Sequence, residues 1–306
     1  VVSGQSASTN DDAAIFDLVV RSIRRALDEP NVDVHEGDEL GDLGLDSLGR
    51  LSLVVAVEES LGITLPEERV TPSMTVGKFR LLISDGSSSS PTGDFPKWPY
   101  RRDVRWIGDA LRDRVFARIV RHWVTLEVEG LENLNSVTSP SLFIFNHTDD
   151  FDGPVIYEAL PLSIRRHMSV AVGADVMRDH KILAFSTRLG WGAFGFSRES
   201  PFRPSLEYVG DMLKNGHHVL FAPEGRLSTD GALLDFKPGV GYFVSHLGVT
   251  VVPLKTKGLS GTVPLHTNWP QRHSHVTVKF GEPMRFGATR NYAEVTESLR
   301  QAVDAL

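Results

Sequence analysis

Phe143-Ile144-Phe145-Asn146-His147-Thr148-Asp149-Asp150-Phe151-Asp152-Gly153-Pro154 decides how this chain is read. The apolar run Leu142 to Phe145 predicts a short buried strand that stops at Asn146. Asp152-Gly153-Pro154 predicts a helix start, with Asp at the cap and Pro in the first turn. His147 therefore falls in a strand-to-helix loop with a carboxylate five residues on. A loop can fold that pair together. Histidine is the side chain best suited to move a proton near neutral pH, and a carboxylate on its far nitrogen would set the tautomer. Two other readings stand beside this one. His147 and Asp152 can be ordinary loop polarity, with Asp152 a helix cap. Or His147, Asp149, Asp150 and Asp152 can hold a cation, although hard-cation sites want oxygens at alternating spacing around a glycine turn, and the fit is poor.

Outward from this stretch, residues 125 onward alternate strands with helices. Strands are predicted at Leu142–Phe145, Val219–Phe221, Val249–Pro253 and Val276–Phe280, and helices at 155–160, 175–188, 203–215 and 291–305. Alternation of this kind predicts an α/β domain without deciding the sheet order. No G-x-G-x-x-G, P-loop or G-x-S-x-G occurs, so dinucleotide, nucleotide and serine-hydrolase readings lack their signatures. Nucleic acid is not an expected partner.

Upstream, residues 99–124 are rich in arginine. Trp106, Ile107, Ala110, Leu111, Val115, Ile119 and Trp123 fall near one helix face. Core packing is the first expectation for that stripe. A membrane surface, or reception of an acidic partner by the arginines, are the other two. Asp85 to Asp94, with its run of four serines, reads as a flexible linker spanning roughly 20 Å.

The first ninety residues read as a small bundle of three helices: one over 13–28, one opened by the stretch Leu43 to Leu48 and running to about Leu61, and one over 75–84. They hold 16 Asp and Glu against 7 Lys and Arg, a net of −9, which leaves about +2 for the rest of a chain of net −7. An acidic small module beside a mildly basic larger one predicts electrostatic docking. Ser47 opens the second helix, where free N–H groups and the dipole favour an anion. The plainer reading is a cap made by Asp46 or Ser47.

Among the 306 residues there is no cysteine, so no disulfide framework and no thiol chemistry of the chain's own. No run of eighteen apolar residues and no signal-type apolar stretch occurs. The expected location is cytoplasmic, with peripheral contact at the inner face of a membrane as the alternative.

Two resemblances join these pieces. Leu45-Asp46-Ser47-Leu48, the acidic second helix with Glu58 and Glu59, and Met74-Thr75-Val76-Gly77 resemble acyl carrier proteins across 11–84. That resemblance implies a covalent 4'-phosphopantetheine on Ser47, an acyl thioester, a phosphopantetheinyl transferase that installs the arm and an enzyme that loads it. His147 and Asp152, Gly192 to Arg198, Phe221 to Ser228, and Val252-Pro253, in this order, resemble the four motifs of the PlsC-type glycerolipid acyltransferase family across roughly 100–290. That resemblance implies His147 and Asp152 as catalytic, and Arg198, Glu224, Gly225 and Arg226 as substrate-binding, with no metal. The third motif departs from the common Glu-Gly-Thr-Arg-Ser: Arg226 stands one place early and Leu227 takes the expected arginine position. The expected architecture is thus α plus α/β: a helical carrier at 11–84, a linker at 85–98 and an α/β acyltransferase domain at 99–306. The expected function is acyl transfer from a phosphopantetheine thioester, on the protein's own carrier, to a hydroxyl of a lysophospholipid or related glycerolipid. Acylation of a soluble natural-product alcohol and a non-catalytic carrier and docking role are the alternatives.

Overall fold

A computed structural model describes residues 6–27, 29–63, 65–85, 97–196, 203–237, 239–264, 269–287 and 291–306. The expected linker at 85–98 lies outside these residues except at its ends. The chain divides into two compact units, residues 1–93 with 199–204 and residues 94–198 with 205–306.

The first unit holds α1 (Ser6–Leu27), α2 (Ser47–Leu61) and α3 (Val76–Ser84). Val19 and Ile23 of α1, Leu53 and Val57 of α2, and Phe79 and Leu82 of α3 bury their side chains in one core. The helix ends are chemically specified. Asp46 accepts the Gly49 N–H at 2.8 Å, Thr75 accepts the Lys78 N–H, and Gly62 ends α2 in the left-handed region at φ 67°. Such caps satisfy amides that a helix end leaves without partners.

The second unit begins with α4 (Arg102–Leu111), a π-helical turn (Arg112–Phe116) and α5 (Ala117–Trp123). It continues as β1 (Val124–Glu129), β2 (Ser141–Phe145), α6 (Asp152–Ala159), α7 (Leu162–Arg165), β3 (Met168–Gly173), α8 (Ala174–Asp179), α9 (Lys181–Trp191) and β4 (Phe194–Phe196). Then come α10 (Arg203–Lys214), β5 (His218–Phe221), α11 (Gly239–Leu247), β6 (Thr250–Lys257), β7 (Ser274–Phe280), β8 (Met284–Arg285) and α12 (Tyr292–Asp304). The strand order is β1-β7-β6-β2-β5-β3-β4, with β8 on β6. Every residue of β2 is buried, and its neighbours β5 and β6 both run parallel to it. A near-continuous apolar run is what a parallel strand covered on both faces requires. The loops after parallel strands emerge at one edge of the sheet, the usual place for a site in an α/β fold. The 146–151 loop leaves β2 there, and the 222–228 turn leaves β5 there.

Four sequence expectations change. The helix expected over 175–188 is two helices, α8 and α9, broken at His180 with φ −119° and ψ 73°. The strand expected to end at Pro253 runs through it to Lys257. Pro253 falls between the β8 pairs at Thr250 and Val251 and the β7 pairs that begin at Leu254, so its missing N–H interrupts neither ladder. Asp152 is the first residue of α6 rather than its cap. The stripe expected to pack in the core does so only in part: Trp106 is 73% exposed, Ile107 51% and Val115 45%, while Ala110, Leu111, Ile119 and Trp123 are half-buried. The inward face of this segment carries Gly108, Arg112, Ala117 and Val120 instead. Arg112 is buried because its charge has partners: Asp109 at 2.7 Å, Asp113 at 3.2 Å, the Gly190 carbonyl and the face of the Tyr157 ring.

Candidate active site

β2 ends at Phe145, and the chain turns over its tip. His147 Nδ1 lies 3.1 Å from Asp152 Oδ2. Asp152 is fully buried, yet its carboxylate is well supplied with donors. The Thr148 and Asp149 N–H groups donate to Oδ2 at 2.7 and 3.0 Å. The Thr256 hydroxyl donates to Oδ1 at 3.0 Å, and the Thr148 hydroxyl lies 3.3 Å from the same oxygen. These donors offset what burial costs a polar carboxyl group. With Asp152 at Nδ1, the neutral ring keeps its proton there and leaves the Nε2 lone pair to act as a base.

The 222–228 turn grips the backbone of the same histidine. Glu224, buried, accepts the His147 N–H on Oε1 at 3.1 Å and the Leu234 N–H on Oε2 at 3.3 Å. The Ser228 N–H donates to the His147 carbonyl at 2.7 Å. Gly225, between them, takes φ 68°, a conformation costly for a residue with a Cβ. The loop is tied from the other side by Asp149, whose carboxylate accepts the Phe151 N–H at 3.0 Å and the Val263 N–H at 3.1 Å.

The electrostatics follow from burial and these contacts. Burial alone would lower the His147 pKa, but the hydrogen bond to Asp152 and the charges of Asp152, Asp150 and Glu224 outweigh it, and the pKa stands above its ordinary value. Burial pushes Glu224 up to about 7, against its backbone hydrogen bonds and the nearby His147. Burial likewise pushes Asp149 up to about 6.

The structure thus brings His147, Asp152, Glu224 and Gly225 into one cluster. It places Arg226 at the exposed surface of the turn and Leu227 half-buried beside it. Arg198 lies outside the described residues. Ser47 is the first residue of α2, and its side chain lies outside the described residues. Among the described residues no group of His, Asp and Glu is placed to hold a metal ion. Thr256 and Asn146 were not singled out by sequence as parts of the site, and Asp149 only as a cation ligand; Thr256 lies 104 residues from Asp152 and leaves no local signal.

The phosphopantetheine attachment site family matches residues 17–79, and the acyltransferase family matches residues 125–257. The chain joins an acyl carrier domain to an acyltransferase domain. His147, Asp152, Glu224, Gly225 and Arg226 fall inside the acyltransferase match, and Ser47 inside the carrier match. The acyl carrier protein MbtL of a Mycobacterium species is 37% identical over 70 residues, covering 22% of this chain and 79% of that one. The chloroplastic 1-acyl-sn-glycerol-3-phosphate acyltransferase LPAT1 of Arabidopsis thaliana is 30% identical over 161 residues, covering 52% of this chain and 43% of that one. The corresponding BAT2 of Brassica napus is 28% identical over 165 residues, covering 44% of its length. The chain therefore spans less than half the length of these two acyltransferases. The crystal structure of the 1-acyl-sn-glycerophosphate acyltransferase PlsC of Thermotoga maritima aligns with 67% of this chain and 78% of its own, at TM-score 0.49 and 22% identity. A likeness of that strength adds nothing to the sequence matches.

The carrier domain is of the kind that bears 4'-phosphopantetheine covalently. The residues at hand suit that group. Ser47 supplies a hydroxyl type that can form a phosphodiester, at the first position of a capped helix whose dipole favours a negative charge, beside an exposed Asp46.

Proposed function

We propose that the protein moves a fatty acyl group from a thioester on its own carrier domain to a hydroxyl of a lysophospholipid or related glycerolipid. The observation that supports the reading best is the His147 Nδ1–Asp152 Oδ2 contact of 3.1 Å, with the imidazole backbone clamped by Glu224 and Ser228. The arm on Ser47 supplies a thiol that carries the acyl group. His147 Nε2 takes the proton of the acceptor hydroxyl as its oxygen attacks the acyl carbonyl. Asp152 stabilises the imidazolium that forms. As the carbon–sulfur bond of a bound thioester breaks, the His147 imidazolium would give its proton to the departing thiolate. Glu224 and Gly225 serve this reaction by shaping the turn that holds His147. Arg198 and Arg226 supply positive charge for an acceptor phosphate.

The carrier receives its arm from a phosphopantetheinyl transferase and its acyl group from a loading enzyme. Exposed Trp106, Ile107, Val115 and Phe185, with exposed Arg101, Arg114, Arg118 and Arg121, favour peripheral contact with an anionic bilayer, in keeping with a cytoplasmic protein working at the inner face. No helix among the described residues is long and apolar enough to cross a membrane.

A second reading, acylation of a soluble natural-product alcohol, is favoured by one observation: Arg226 is displaced by one residue, and half-buried Leu227 stands where the family's arginine is expected. Acyl-loaded full-length protein offered lysophosphatidate, other lysophospholipids and soluble alcohols, with products read by mass spectrometry, separates the two. Acylation of lysophospholipids alone supports the first reading; acylation of soluble alcohols alone overturns it.

A further inference from the structure

β6 outlasts its neighbour. The parallel pairing of β2 with β6 ends at Phe145 and Leu254, while β6 continues to Lys257. On the side that β2 vacates, the Asn146 side-chain amide takes over the ladder. Its Oδ1 accepts the Thr256 N–H at 2.7 Å, and its Nδ2 donates to the Thr256 carbonyl at 2.9 Å. The backbone of Thr256 is thereby held on the first residue of the histidine loop. Its hydroxyl has one proton to give and two acceptors in reach: Asn146 Oδ1 at 3.3 Å, already taken by an N–H, and Asp152 Oδ1 at 3.0 Å. The shorter distance and the negative charge both select Asp152. Thr256 itself is buried.

We propose that the Thr256 hydroxyl is a positioning group for the His147–Asp152 pair, anchoring Asp152 Oδ1 so that Oδ2 stays aimed at His147 Nδ1. The geometry of the carboxylate makes this a division of labour. Oδ2 carries two loop amides and the imidazole, all within the residue stretch 147–149. Oδ1 carries Thr256 and a longer contact to the Thr148 hydroxyl. Among the described residues, Thr256 is the single donor to this carboxylate that comes from the sheet, so it ties the carboxylate at the start of α6 to the rigid body of the domain. Without it, Oδ1 keeps only the 3.3 Å contact, and the plane of the carboxylate is set by the loop alone. The role rests on His147 being the base, as proposed above.

The test uses full-length protein with Thr256→Val, which keeps the shape and removes the hydroxyl, and Thr256→Ser, which keeps the hydroxyl. The expected result for Thr256→Val is a fall in kcat of roughly tenfold, the scale of a lost hydrogen bond to a charge, with KM within about twofold. Nitrogen NMR of the neutral His147 ring gives a readout that mere packing does not move. Wild type and Thr256→Ser hold the ring proton on Nδ1, and Thr256→Val shifts it toward Nε2. If Thr256→Val does not fold, Thr256→Ala is read by the same criteria. A variant lacking the hydroxyl with wild-type kcat and an Nδ1 proton overturns the role, as does a Thr256→Ser variant that loses as much as Thr256→Val. Failure of the underlying reading looks different: His147→Ala would then turn over normally, whatever Thr256 does.

Discussion

At the scale of single residues, the site is a buried carboxylate made tolerable by donors and a histidine made more basic by that carboxylate. Asp152→Asn keeps the size and removes the charge. The expected outcome is a loss of kcat of roughly 10³-fold or more, because the ring no longer holds the right tautomer or a stabilised imidazolium. The base works only when neutral, so wild-type activity falls as pH drops through the His147 pKa, which lies above 6.5. Removing the Asp152 charge removes the main cause of that elevation. The acid limb of the residual activity therefore moves to lower pH, as a pH–rate profile of both proteins will show. Glu224 gives a separate prediction about stability. Its folded pKa of about 7 lies above the ordinary 4.5, so the folded protein binds this proton more tightly than the unfolded chain. Stability from Glu224 is complete below about pH 4.5, declines as pH rises, and is gone above about 7. Glu224→Gln cannot titrate and should flatten the change in Tm between those pH values relative to wild type, in thermal melts across the range.

At the scale of elements, the first question is which sequence patterns carry through. α1, α3, β2, β5 and β7 are legible because their apolar residues recur at the period of one element with one buried face, or fill a short run without break. α4 misleads for a physical reason. Its most apolar residues, Trp106 and Ile107, lie outward, while its contact with α9 is made by a glycine. A Cβ on Gly108 would come within 2.0 Å of the Leu189 carbonyl oxygen, and neither backbone can yield cheaply. Gly108→Ala should therefore cost about 1–3 kcal/mol of stability in denaturant unfolding. Trp106→Ser should leave stability nearly unchanged and weaken co-sedimentation with anionic vesicles. Unaltered vesicle binding would remove the membrane role from this face. β4 escaped the reading because three residues are too few for a period to show, whereas the six residues of β1 alternate apolar and polar and carry a strand signal. β6 was read too short because proline in a central strand normally argues against one.

At the scale of the whole molecule, two domains with complementary chemistry share a chain. The carrier is strongly acidic and the remainder mildly basic. On the proposal that the carrier supplies the acyl group, covalent linkage would give its thioester an effective concentration of order millimolar. Ser47→Ala in the full chain should abolish phosphopantetheine attachment, seen as the missing mass increment. It should also abolish transfer from the fused carrier, while leaving transfer from free acyl thioesters within about twofold of wild type. Survival of fused-carrier turnover in that variant would show that the acyl group comes from another donor.

Sequence alone determined what is local or ordered along the chain: the helical carrier with Ser47 opening a helix, the α/β character of the larger domain, and the His147–Asp152 pair. Residues five apart in one loop meet through local turns, and composition and periodicity report such features directly. Only the tertiary structure decided the strand order, the outward face of α4, the grip of Glu224 and Ser228 on the His147 backbone, and the reach of Thr256 to Asp152. The contacts to His147 and Asp152 join residues 77 to 104 positions apart. Their distances are set by which strands lie side by side in the sheet, and a linear pattern holds no record of that.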